Sequence, residues 1–426
     1  MKKTIFLIAI AMLFRTTICI EPRGEQLALE TAHNYLKISD TLLDIIRSDL
    51  SENRSEENIF PCSQKNLPLF ENFPRLREEL PHVSLGLLPT PIKKLERFGR
   101  AIGLNNMYVK CDNMTGGISE DGRQLFGGNK VRKLEFLLAD ALYNGVSSVM
   151  TFGGAGSNHV LATIAYAQQV GLKGIGILLP QTQSGIIKRN LSLDLYHNAE
   201  LHLCNNQDIY HLCIAYTMLR EKQLHGTFPY VIPVGGSCPT GTIGFVNAVF
   251  ELKQQVAAGI LPEPDYIYVT LGSMGTTAGL LIGIQAAGLK SKLIAVPVSN
   301  NPNWEKTVGL AKKTNQFISN VDATFPLFSF SQDDFEVLHG FVGQGYGVFT
   351  QEGINAMSLI KKTESIILDG VYTSKCLSGL IAQAPSHNPD DVVLFWNTFC
   401  GDDFAELVNT VNYQDLPACF HHYFES

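Results

Sequence analysis

Short apolar runs alternate with stretches of helical periodicity along most of the chain after residue 85. Leu134, Leu137, Leu138, Ala141 and Leu142 share one helical face, which Asn144-Gly145 ends. Residues 146–152 read as a strand and 153–156 as a glycine loop. Ser157 is a natural N-cap for a helix over about 158–170, stopped by Gly171. The next strand is 175–179. Strand, loop, helix and strand form a βαβ unit, which implies a parallel pair joined by a right-handed crossover. The grammar returns with a strand at 266–271, a loop at 272–276, a helix at 277–287 and a strand at 293–298. Residues 108–110 and 394–398 add further strands. Two such units far apart in sequence predict an α/β protein. It would have two lobes, each an open parallel sheet with flanking helices, and a ligand cleft between them.

The first residues follow a different pattern. Lys2 and Lys3 precede an apolar run over 5–14, closed by Arg15, so residues 1–20 have the layout of a signal peptide. This predicts an exported, periplasmic protein, although residues 17–20 make a poor cleavage site. The alternative is a cytoplasmic chain with an apolar start. The run is too short for a stable membrane span. Residues 21–84 are richer in charge, with helical spacing at Leu29, Ala32, Leu36, Leu43, Ile46 and Leu50 and a loop over 51–57. They read as a helical extension wrapping the core. Residues 85–420 then carry the chemistry, with a smaller lobe at about 131–240 inserted in the larger.

Composition narrows the function classes. A chain of 426 residues that is 45% hydrophobic and 17% charged is too apolar for disorder. A net charge of −7 without a long basic run argues against a nucleic-acid partner. The nine cysteines show no CxxC and no His/Cys ligand spacing, so no metal site is expected. One or two disulfides would be compatible with export, and the other cysteines read as small buried hydrophobes.

Three segments carry candidate chemistry. In Phe126-Gly127-Gly128-Asn129-Lys130-Val131-Arg132-Lys133, a lysine stands between a glycine pair and a helix start. Such a lysine can be held at a fixed point. Desolvation or nearby cations (here Arg132 and Lys133) would make it a nucleophile toward an aldehyde. Ser273, Met274, Gly275 and Thr276 lie in a strand-to-helix loop suited to phosphate. Ser157, Asn158 and His159 open a second helix whose start suits a carboxylate. Tyr346 and Tyr372 stand in turn-rich surroundings, where a tyrosine can stack on a ring or act as an acid. Thr373 or Thr398 could hydrogen-bond a pyridine nitrogen.

With Leu-Pro-Thr-Pro at 88–91, Ile-Pro-Val-Gly-Gly-Ser at 232–237 and Gly-Tyr-Gly-Val at 345–348, these segments resemble, in order, the D-cysteine desulfhydrase / 1-aminocyclopropane-1-carboxylate (ACC) deaminase family. The resemblance covers roughly 88–398. It implies the tryptophan-synthase-β-like type II fold, the cofactor pyridoxal 5'-phosphate, a small amino acid as substrate, and a homodimer. Lys130 would form the cofactor aldimine, and Asn129 would bond the cofactor's phenolic oxygen. Ser273 to Thr276 would bind the phosphate, Ser157 and Asn158 the substrate carboxylate, and Tyr346 and Tyr372 would line the pocket. ACC-processing members pair a glutamate with the pyridine nitrogen where this chain has Thr373. A hydroxyl does not enforce ring protonation, which favours D-cysteine elimination over ACC deamination. A reading of another class is a non-catalytic protein that binds an amino acid or the cofactor on the same fold. The chain departs from the family at Gly156, Leu161-Ala162 and Phe399-Cys400, all expected near the pocket, and at Cys111.

Overall fold

A computed structural model of the protein describes residues 66–425 apart from 118–121 and 123–124. The signal-like segment and the helical spacing over 28–50 lie outside the described residues. Ten strands are present among those described: β1 (Ile92–Lys94), β2 (Asn106–Cys111), β3 (Ser148–Gly154), β4 (Lys173–Leu179), β5 (Glu200–Leu203), β6 (Tyr230–Ile232), β7 (Tyr266–Leu271), β8 (Lys292–Pro297), β9 (Phe335–Val337) and β10 (Val392–Asn397). They form a six-stranded sheet, β1-β2-β10-β7-β8-β9, and a four-stranded one, β5-β4-β3-β6. Every pairing is parallel except β1 with β2 at the edge. The chain leaves the larger sheet after β2 and rejoins it at β7. The fold is the predicted α/β one.

The central strands are apolar on both faces because helices cover both. Ile267, Val269, Leu271, Leu394 and Trp396 pack into one core cluster, while Tyr268, Val393 and Phe395 point into another across the sheet. Strand ends moved for a local reason. The Val146 N–H donates to Ala141 O and Gly145 N–H to Leu142 O, with Gly145 at φ 63°. Val146 therefore belongs to the left-handed cap of the preceding helix, and β3 starts two residues later than the apolar run suggests. All seven cysteines among the described residues are free thiols, and no described helix is long and apolar enough to cross a membrane.

One polar cluster crosses this apolar interior. Arg132, on the helix Lys130–Tyr143, donates to Asp112 through Nε (2.9 Å) and Nη2 (2.7 Å) and to Glu251 through Nη1 (2.9 Å). Lys110 Nζ reaches Glu251 Oε1 at 2.5 Å, Gln255 Oε1 at 2.7 Å and Thr90 O at 2.8 Å. Trp396 Nε1 donates to Asp112 Oδ2 at 2.7 Å. The two cations and two carboxylates cancel in charge, and all four side chains are buried. Burial works against the Glu251 carboxylate, but Arg132 and Lys110 outweigh it and hold its pKa at about 2. Beside the cluster, Gly244 of the helix Pro239–Ala257 leaves no room for a Cβ against the Arg132 carbonyl oxygen.

The Arg132→Met variant should be about 3–5 kcal/mol less stable in urea denaturation, since two carboxylates would be left buried with one cation. A loss below about 1 kcal/mol would mean that the cluster does not hold this helix in place.

Candidate active site

Strands β3, β4, β6, β7, β8 and β10, drawn from both sheets, point their carboxyl ends at one cavity of about 680 Å³. Asn129 and Lys130, with Gly127 and Gly128, form one wall. Ser157, Asn158 and His159 follow β3, Ser273, Met274 and Thr276 follow β7, Thr398 follows β10, and Tyr346 and Tyr372 stand on the cavity wall. Gly275 lies behind this wall, where its N–H donates to Ser237 Oγ at 3.1 Å. Thr373 is not on the wall. It is buried, with Oγ1 donating to Asp369 Oδ1 at 2.6 Å.

Lys130 is the first residue of its helix. The turn before it is clamped to the end of β10: Asn129 N–H donates to Thr398 O at 3.1 Å. Gly128 has φ 98°, and a Cβ there would stand 3.0 Å from Thr398 O, so this turn requires glycine. Lys130 Nζ donates to Asn129 Oδ1 at 2.8 Å, and Asn129 Nδ2 donates to Thr276 Oγ1 at 3.0 Å. Burial takes the Lys130 amine down to about 8, with Asp369 holding it partly up. Of the two causes expected from sequence, desolvation is the one at work and the neighbouring cations are not. Arg132 is neutralised by its two carboxylates.

The β7 loop has the geometry of an anion seat. Met274 adopts φ 73°, and the helix Gly275–Ala287 starts behind it with its first N–H groups free of intrahelical acceptors. Ser237 Oγ donates to Ser273 Oγ at 2.8 Å and accepts from the Gly275 N–H. Lys133 Nζ donates to Gly235 O at 3.0 Å and Ser237 Oγ at 3.3 Å. It is buried with no carboxylate partner among the described residues, and burial, then Lys130, pushes its pKa well down. Sequence reasoning missed Ser237 and this seat of Lys133. The available signal was the adjacent pair Gly235 and Gly236, which take φ 68° and 61° to bring the segment against Ser273.

At the opposite side, Ser157 Oγ caps its helix by accepting from Val160 N–H at 3.3 Å. His159 Nε2 lies 3.1 Å from Pro233 O and 2.9 Å from Thr151 Oγ1, whose proton goes to Ile232 O. Nε2 therefore carries the hydrogen. Burial, Lys130 and Lys133 push the imidazole pKa well down, so the ring is neutral. Tyr346 and Tyr372 share a short hydroxyl–hydroxyl hydrogen bond, their rings edge to face. Asp369 is the one carboxylate among the described lining residues. Its oxygens accept from Val371, Tyr372 and Thr373 N–H and from Thr373 Oγ1.

The sequence departures divide. Phe399 and Cys400 do line the cavity, with Cys400 Sγ accepting from Gly127 N–H at 3.3 Å. Leu161 and Ala162 do not, contrary to expectation. They face away from the cavity into the core, because the helix Asn158–Gln169 turns that side toward the helix Lys130–Tyr143. Gly156 packs against Ile187 and donates to Gln181 Oε1 at 2.7 Å, while Cys111 is core.

Pyridoxal phosphate fits these residues. A dianion suits the loop with Lys133 behind it, where the buried Thr277 Oγ1 on the cavity wall has no protein partner. A low-pKa amine stands across the cavity for the aldehyde. The model of the pyridoxal-phosphate dependent enzyme family matches residues 83–398. A protein of Thermotoga maritima named "Putative 1-aminocyclopropane-1-carboxylate deaminase" is 34% identical over 320 residues, covering 74% of this chain and 95% of its own. One of Pyrococcus abyssi with the same name is 32% identical over 328 residues, covering 76% and 92%. Among solved structures, an ACC deaminase homologue matches with a TM-score of 0.65 and 28% identity over 84% of this chain and 100% of that one. With its two parallel sheets and this lysine-and-loop cavity, the chain belongs to the pyridoxal-phosphate dependent enzymes, in the ACC deaminase-like branch of fold type II.

Proposed function

We propose that the protein is a lyase that converts D-cysteine and water to pyruvate, ammonia and hydrogen sulfide. The observation that supports this is the convergence on one cavity of Lys130 Nζ, the Ser157–Asn158 helix start and the Ser273–Thr276 loop. When bound, pyridoxal phosphate supplies an aldehyde for the substrate amine and a conjugated ring that withdraws electrons from the α-carbon. Ser273, Met274 and Thr276 hold the phosphate, with Lys133 as the fixed amine behind them, whose charged form the dianion would favour. Ser157 and Asn158 bind the substrate carboxylate and so orient the α-hydrogen toward Lys130. Near neutral pH a lysine with a pKa of about 8 is partly neutral, and its Nζ accepts the α-proton.

The leaving sulfur needs a proton. Burial holds the Tyr372 hydroxyl well above the usual tyrosine range and raises Tyr346 as well, so both stay protonated. Their paired hydroxyls can donate to the departing thiolate, which leaves as hydrogen sulfide. Thr398, rather than the buried Thr373, is the hydroxyl that can meet the ring nitrogen. The oxygens of Asp369 are already engaged by four donors. No free carboxylate then enforces ring protonation, which favours elimination over opening of a cyclopropane. A second reading, deamination of ACC to 2-oxobutyrate and ammonia, is favoured by the names of the Thermotoga and Pyrococcus relatives. Export of the chain and its assembly as a homodimer remain part of the proposal. They would be checked by the N-terminal residue of the mature protein and by its mass in solution.

The purified holoenzyme should release pyruvate and sulfide from D-cysteine faster than ammonia from ACC. The reverse order would replace the first reading with the second. Lys130→Ala should lower turnover by roughly 10³-fold or more while leaving the thermal midpoint unchanged. Turnover retained in this variant would refute the mechanism. Only the neutral amine attacks an aldehyde, so cofactor uptake by the apoprotein should accelerate as pH rises through about 8 and then level off. Acceleration that continues toward 10.5, the ordinary lysine value, would contradict a desolvated Lys130.

A further inference from the structure

Arg189, on the helix Gly185–Tyr196, is a cation beside the cavity that the chemistry above does not use. Its Nε donates to Asn190 Oδ1 at 3.0 Å and its Nη2 to Asn158 Oδ1 at 3.4 Å. The guanidinium carbon lies 5.6 Å from the Phe126 ring centre and 5.9 Å from that of Phe399, both on the cavity wall. Two aromatic faces hold a guanidinium in place without neutralising it. No carboxylate among the described residues pairs with Arg189, although it is half-buried and burial works against its charge.

The hydrogen bonds around it permit one arrangement. A guanidinium has donors only, so Asn190 and Asn158 must both turn their oxygens to Arg189. Asn190 Nδ2 is then left to donate to Gly156 O at 2.9 Å and Asn158 Oδ1 at 3.0 Å. Two donors converge on Asn158 Oδ1, which fixes the orientation of that amide. Its Nδ2 has no acceptor among the described residues, and Asn158 lines the cavity beside Ser157. The outcome is a free amide donor at the cavity wall with a cation behind it that no carboxylate touches, Asp369 acting on it only through space.

We propose that Arg189 is the positioning residue for the substrate α-carboxylate: it holds Asn158 with Nδ2 toward the cavity, and its own charge is balanced by the carboxylate that Nδ2 binds. This rests on the reading of Ser157 and Asn158 as the carboxylate seat. The site then selects amino acids with a free, ionised α-carboxylate, and Arg189 sets that preference without entering the chemistry at the α-carbon. The positive end of the cavity discriminates by charge as well as by hydrogen bonding.

The test uses the full chain loaded with pyridoxal phosphate and follows binding through the visible band of the cofactor. The probes are D-alanine, which has no β-leaving group, and ACC, each compared with its methyl ester. Wild-type protein should prefer the acids. R189M should weaken the acids by roughly tenfold or more and leave the esters unchanged. R189Q, closer to arginine in shape but uncharged, takes its place where R189M does not load the cofactor, and should also lose affinity for the acids alone. Equal weakening of acid and ester, or no change in either, overturns the role of Arg189 and leaves the seat standing. Wild-type protein without a preference for the acids overturns the seat itself, and the proposal with it.

Discussion

The Arg132 guanidinium, held between Asp112 and Glu251 inside an apolar core, is the interaction on which the placement of the site depends. A buried cation has few stable positions, because each lost carboxylate contact leaves an unpaired charge in low dielectric. Asp112 follows β2 and is bonded to Trp396 of β10, while Glu251 belongs to the helix Pro239–Ala257. Arg132 sits two residues after Lys130 on the same helix, so fixing Arg132 fixes the helix start relative to the larger sheet. The Asn129–Thr398 hydrogen bond and the close approach of Gly128 to the same carbonyl then leave the lysine little freedom except along its own side chain. An amine must be held within bonding reach of one aldehyde carbon if it is to act on it repeatedly.

A second constraint is the imbalance of charge around the cavity. Lys133 lies behind the β7 loop and Arg189 behind Asn158, and neither has a carboxylate partner among the described residues. Asp369, the one carboxylate on the described wall, is occupied by its own backbone turn. Basic groups removed from water without a carboxylate contact cost stability, and such costs concentrate where a ligand relieves them. In the proposed chemistry the relieving anions are a phosphate at one end and a carboxylate at the other. The carboxylate of an amino-acid substrate and the phosphate of the cofactor would together present both.

Much of this was legible in the sequence because local chemistry and tertiary role coincide. Ser157 caps its helix and also faces the cavity, and the strand 266–271 is apolar on both faces because both are covered. Where the two diverge, the sequence misleads. Thr373 follows a cavity tyrosine, yet its hydroxyl is drawn to Asp369 four residues back, a local turn bond that motif position does not reveal. Leu161 and Ala162 stand three and four residues after Asn158, but the helix turns them away from the cavity into the core. Arg189 was invisible for the opposite reason. Nothing near it in sequence is functional, and only the packing of one helix against the Asn158 turn gives it partners.

The most direct test of the account is to find where the cofactor is attached. Reducing the holoprotein with borohydride and mapping its peptides by mass spectrometry should place a single pyridoxyl group on Lys130. A label on Lys133, on another lysine, or on none after full cofactor loading would contradict the claim that this helix start, held by Arg132, carries the reactive amine.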